Sequence, residues 1–118
     1  MAFPSQVLAS GNSGMATEAI CGLVRNNLTA VGTNLATALA LTGVINRVST
    51  AALSTGVSLP TPEAGAEITI INDGANPITV YAKTGQTVNG AASTTITNAK
   101  ASKFVGSSPT AWHTLAGA

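Results

Sequence analysis

One histidine, His113, and one cysteine, Cys21, bound what nucleophilic chemistry this 118-residue chain can perform. A thiol or hydroxyl nucleophile needs a base within hydrogen-bond reach and a third group that orients the base. Cys21 and His113 could meet in space, yet no acid or amide stands at a spacing that supplies the third member. Carboxylate pairs fare no better: Glu18 lies near the N-terminus, Glu63 and Glu67 bracket a Pro/Gly corner, and Asp73 occupies a turn sequence. A single His and a single Cys cannot close a four-ligand transition-metal shell within one chain. Asn72, Asp73 and Asn76 could offer oxygens to calcium, but the ligand spacing of a calcium loop is missing. The run Lys83-Thr84-Gly85-Gln86-Thr87 has a phosphate-loop flavour without the glycine–lysine spacing or a following helix, and reads as a strand connection. No catalytic residue, cofactor or metal is therefore expected, and the chain reads as a non-enzyme.

Two aromatic residues with polar tips, Tyr81 and Trp112, are the remaining candidates for binding. Such rings stack on sugars, or they seal a core or a subunit seam. With aromatics at only 3% of the chain, the sealing role is the expectation, and glycan stacking by Tyr81, Trp112 and His113 is the alternative. His113, beside Trp112, is expected to make a surface or interface hydrogen bond.

Composition says more about partners than any motif does. Only 8% of residues are charged, against roughly 25% in an ordinary soluble domain. A chain of this size has much surface for its volume, so its exterior must be solvated by hydroxyls and amides or covered by neighbours. Desolvating Thr and Ala costs far less than stripping water from Lys or Glu, which suits packing against copies of itself. A net charge of +1, with its cations scattered from Arg25 to Lys103, gives no stripe to neutralise a phosphate backbone, so direct nucleic-acid binding is not expected. The first residues, Met1-Ala2-Phe3-Pro4-Ser5-Gln6, lack the basic cluster and long apolar run of a secretion signal or membrane anchor. The expectation is a protein that folds in the cytoplasm that made it, with no membrane partner, and whose lone cysteine forms no internal disulfide.

The elements are strands. Residues 1–24 read as an extended N-terminal arm, broken at Ser10-Gly11-Asn12-Ser13-Gly14, with a short helix over 15–21 as its one regular piece. From 25 to 118 the pattern is β throughout, with runs at 28–31, 35–41, 44–50, 55–59, 67–72, 78–81, 86–88, 94–97, 103–105 and 111–115. Asn89-Gly90 is a favoured type I′ turn pair, and Pro60-Thr61-Pro62 ends a ladder. Strands at about ten-residue spacing without intervening helices predict an antiparallel β-sandwich, jelly-roll-like, or a small barrel, with residues 78–81 returning antiparallel to 67–72. No internal repeat is defensible from residue identities.

The run Gly65-Ala66-Glu67-Ile68-Thr69-Ile70-Ile71-Asn72-Asp73-Gly74-Ala75-Asn76-Pro77-Ile78-Thr79-Val80-Tyr81, then Thr84-Gly85-Gln86-Thr87-Val88-Asn89-Gly90 and Thr110-Ala111-Trp112-His113, resembles a group of small β-rich virion structural proteins of tailed bacteriophages. Thr37-Ala38-Leu39-Ala40-Leu41 and Thr55-Gly56-Val57-Ser58-Leu59-Pro60 are similar too, so the likeness spans Leu28 to the C-terminus. Capsid decoration (cement) proteins are the nearest analogy in size. The resemblance implies a homotrimer on the capsid exterior whose partners are the major capsid protein and itself, with no catalytic residue carried over. Phe3, Pro4, Val7 and Leu8 are the expected capsid-contact residues of the arm. A tail-fibre, tail-tip or head-fibre component with a host-glycan-binding face is the alternative.

Overall fold

The computed structural model describes residues 23–115. Ten strands follow in chain order: β1 (Val24–Ala30), β2 (Leu39–Ala40), β3 (Ile45–Ala51), β4 (Gly56–Ser58), β5 (Glu67–Asn72), β6 (Ile78–Tyr81), β7 (Thr87–Val88), β8 (Ser93–Ile96), β9 (Lys100–Ser108) and β10 (Ala111–Thr114). The described residues contain no helix, and the all-β expectation is met. Of the arm expected over 1–24, residues 1–22, with the helix expected at 15–21, lie outside the described residues, and Val24 opens β1 because it pairs with Ile45.

Pairing is where the structure departs from an antiparallel sandwich or a closed barrel. Two sheets form, one in the order β1-β3-β5-β9-β10-β7 and one in the order β2-β4-β6-β8. Successive strands go to opposite sheets, so β1 pairs parallel with β3 and β3 with β5, while β2 pairs parallel with β4 and β4 with β6. The chain thus winds three turns of a flattened, solenoid-like coil. Residues 78–81 do not return beside 67–72; they cross to the other sheet and lie on β4. The physical reason is the facing of the side chains: Ile68 and Ile70 of β5, and Ile78 and Val80 of β6, are all buried, so the turn at 73–77 stacks two apolar faces instead of zipping one hairpin.

Direction reverses at the C-terminal end. β8 lies antiparallel on β6 and β9 antiparallel on β5, and β10 folds back on β9 and pairs parallel with β7. The expected Asn89-Gly90 turn is present: both residues have positive φ (52° and 81°), and Val88 and Ala91 exchange backbone hydrogen bonds across it.

Two buried asparagines fix the corners of the coil. The Asn46 amide donates to the Gly43 carbonyl at 2.9 Å and accepts from the Gly43 N–H at 3.2 Å, closing the corner that feeds β3. Asn72 donates through Nδ2 to the carbonyls of Asn76 and Ile96 and accepts from the Gly74 N–H, so it joins the third turn of the coil to the reversing strands. Buried amides of this kind stabilise only because every donor and acceptor is used. Between the sheets pack Val48, Ile68, Ile70 and Phe104 from one side and Val57, Leu59, Ile78, Val80 and Ile96 from the other. Each fully buried aliphatic or aromatic side chain contributes about 1.5–3 kcal/mol.

Candidate interaction surfaces

No reaction centre is assembled among the described residues. His113 is exposed on β10, with its Nε2 2.8 Å from the Ser107 hydroxyl, so it makes the surface hydrogen bond expected of it. Cys21, its conceivable partner, is outside the described residues, as are Phe3, Pro4, Val7 and Leu8. No group of three or more His, Cys, Asp or Glu that could hold a metal ion occurs among the described residues. Asn72 and Asn76, read as possible calcium oxygens, spend their amides on backbone carbonyls, Asn76 donating to Ala51 at 2.9 Å. Asp73 accepts from Arg47 Nε at 2.7 Å. The segment 83–87 forms a turn in which the Gln86 N–H donates to the Lys83 carbonyl, with Gly85 at φ 81°.

The two aromatic candidates are used by the fold itself. Trp112 is 1% exposed, and its indole N–H donates to the Pro60 carbonyl at 3.1 Å, so no face of the ring is open to a sugar. Tyr81 lies half-buried on the outer side of the second sheet. Its ring covers Gly56, where an added Cβ would come within 2.7 Å of ring carbon Cε2, and its hydroxyl reaches the Thr33 carbonyl at 2.9 Å. One side chain from the third turn of the coil thereby crosses the second and ties down the first. Glycine at position 56 is what permits the ring to lie so close. Tyr81→Phe keeps the ring and removes the tie; we expect a loss of about 0.5–1.5 kcal/mol, read as a lower urea midpoint at unchanged slope.

What remains open to partners is charge-poor and partly apolar. Two ion pairs, Arg47–Asp73 and Lys103–Glu67 at 3.2 Å, sit at the surface, where such pairs contribute roughly 0.2–1 kcal/mol and fade with salt. Leu53 (76% exposed), Leu115 (57%), Val24 (49%) and Val31 (42%) stand out in the solvent. A shallow groove of about 830 Å³ between β8 and β9 is lined by Thr94, Thr95 and Ser102 with Lys100 and Lys103 beside them.

The two ends of the coil differ. At the C-terminal end, β8 and β9 cover β6 and β5, and Trp112 and Val88 close the core. At the N-terminal end, β1 and β2 are sheet edges with no further strand among the described residues. The core shows it: Leu28 and Leu39 are only partly buried, whereas their register partners Val48 and Val57 are completely buried. Sequence reasoning missed this open end, as it missed the locking role of Asn46 and Asn72. The turns of the coil differ in length, with partners offset by 18 residues from β2 to β4 and by 24 from β3 to β5, so no fixed spacing in the sequence marks them.

No family model, no curated protein and no solved structure matches the chain.

Proposed function

We propose that this protein is a capsid decoration protein of a tailed bacteriophage, which binds the outer surface of the shell built by the major capsid protein, as a homotrimer, and stabilises it. The observation that carries the reading is the pairing of a two-sheet β body with an exterior that holds few charges and is studded with Val24, Val31, Leu53 and Leu115. A surface of that kind is cheap to desolvate and gains apolar burial when it docks. The resemblance of Leu28 to the C-terminus to small virion proteins supports the same reading, and so does the size of the described body, 44 × 30 × 28 Å, which is that of a small module seated on a larger shell. Mechanistically, three linked copies would each make a modest contact, and linkage raises the effective affinity by orders of magnitude without any new contact. Internal pressure on the shell would then be opposed at each seam that a trimer bridges.

The glycan-binding alternative loses support from the geometry, because Trp112 is sealed in the core and Tyr81 is committed to Gly56 and Thr33. Imaging of particles assembled from the genome that carries this chain, with and without its coding sequence, tests the proposal. Extra density on the head exterior that disappears with the deletion, together with heads that rupture at lower temperature, is the expected result. Loss of density from the tail or a fibre, with heads unchanged, would overturn it.

A further inference from the structure

The geometry points to a strand-docking site along the open edge of β1, and we propose that its occupant is the N-terminal segment of the same chain, with residues 3–9 pairing parallel to β1. The inference does not rest on the proposed function, and it moves Phe3, Pro4 and Val7 from a shell-gripping arm to the end of the coil.

Three observations carry it. The first is the state of the edge. β1 has a neighbour on one side only among the described residues, and the apolar side chain it turns toward the interior, Leu28, is incompletely covered. An unpaired edge next to an unsealed core invites a further strand.

The second is the path of the chain. The Leu23 carbonyl accepts from the N–H groups of Val44 and Ile45 at 2.7 and 3.0 Å, and the Val44 carbonyl in turn accepts from the Thr69 N–H at 2.8 Å. The chain thus enters β1 through the same corner by which it enters β3 and β5.

The third is length and register. In the first sheet β1 is offset from β3 by 21 residues at Val24–Ile45 and Ala30–Ala51 and by 20 at Leu28–Val48, and β3 is offset from β5 by 24 at Ile45–Thr69. The 22 residues that precede Leu23 are therefore long enough for one further turn. Stepping back by the 21-residue offset of β1 and β3 sets Phe3 beside Val24, Val7 beside Leu28, Ala9 beside Ala30 and Gly11 beside Gly32. Gly22 falls on Gly43, where an added Cβ would come within 3.0 Å of the Leu23 carbonyl of the turn before it. Val7 and Leu8 are the side chains placed beside Leu28, at offsets of 21 and 20 residues. Pro4 falls on Arg25, in the strand that becomes the new edge, and a proline there withholds an N–H from any further strand. The segment thus both seals the core and ends the sheet.

The test is a disulfide placed across the proposed pair. In a Cys21→Ser background, Leu8→Cys with Thr29→Cys joins directly opposed positions at the 21-residue offset, whose Cα atoms in neighbouring strands lie about 4.8 Å apart, within disulfide range. Ala9→Cys with Thr29→Cys places the thiols on opposite faces. At micromolar protein under a glutathione redox buffer, the first pair is expected to close within one chain at least tenfold faster than the second. Equal rates, no bond, or bonds that only join two chains would overturn the proposal, the last by making a second copy the occupant. In case the cysteines disturb folding, hydrogen exchange on the full chain gives an independent reading. The β1 amides that point away from β3 should be protected and lose at least tenfold protection in Val7→Lys, while β5 and β9 hold theirs. Solvent-like exchange of those outward-facing β1 amides in the unsubstituted chain would equally overturn it.

Discussion

Trp112→Ala should cost about 3–5 kcal/mol of folding stability, the range measured when a large aromatic is truncated inside a well-packed core. Trp112 is 1% exposed and sits where β10 pairs with β9 and β7, with Gly106 and Val88 as its register partners. Gly106 cannot be shifted to fill the space, because its backbone is already against Glu63: an added Cβ would strike the Glu63 carbonyl, and the Gly106 N–H and C=O are bonded to Ala66 and Gly65. The void therefore stays, and the Pro60 carbonyl loses the indole donor it accepts from. In a domain whose whole stability is of the order of 5–15 kcal/mol, the variant should be partly unfolded at 37 °C. Chemical denaturation followed by far-ultraviolet circular dichroism measures it. Trp112→Phe, which refills most of the volume but not the hydrogen bond, should recover more than half of the loss. A Trp112→Ala protein within 1 kcal/mol of the parent would mean that the ring is not the seal the structure shows.

Asn72→Ala is expected to be nearly as damaging for a different reason. The side chain is completely buried and serves three backbone groups at once, the carbonyls of Asn76 and Ile96 and the N–H of Gly74. Removing it leaves buried groups without partners, each at about 1–3 kcal/mol, so a total near 3 kcal/mol is expected. Asn72→Asp separates packing from hydrogen bonding: the shape is kept, but a carboxylate has no N–H to give the two carbonyls and would face their negative ends. It should be no more stable than Asn72→Ala at neutral pH. Thermal unfolding of the pair checks this, and an aspartate variant as stable as the parent would contradict the assigned contacts.

The same two residues show how far the sequence could be read. Local signals were legible. Alternating Ile68 and Ile70, the Asn89-Gly90 turn and the run 78–81 all lie where a strand-and-turn reading places them, because each depends on side-chain alternation or on φ preferences within a few residues. Trp112 was legible as a ring that seals something. Its partner, the Pro60 carbonyl, was not, being 52 residues away in the chain. Asn72 was read as a turn residue and conceivable metal oxygen, since an asparagine before Asp-Gly serves either role. Only the position of Ile96 and Asn76 around it makes it an internal lock.

The sequence alone determined that the region now seen as strands is β throughout, with few charges and punctuated by glycine and asparagine turns. The tertiary structure alone decided which edges meet. Short strands joined by turns such as 52–55 and 73–77 suit a hairpin or a crossing to the opposite sheet equally well, because the local backbone looks the same in both. The choice falls to whichever pairing buries more apolar surface over the whole chain. Here that balance favours parallel stacking of successive turns, ended by strands that run back antiparallel.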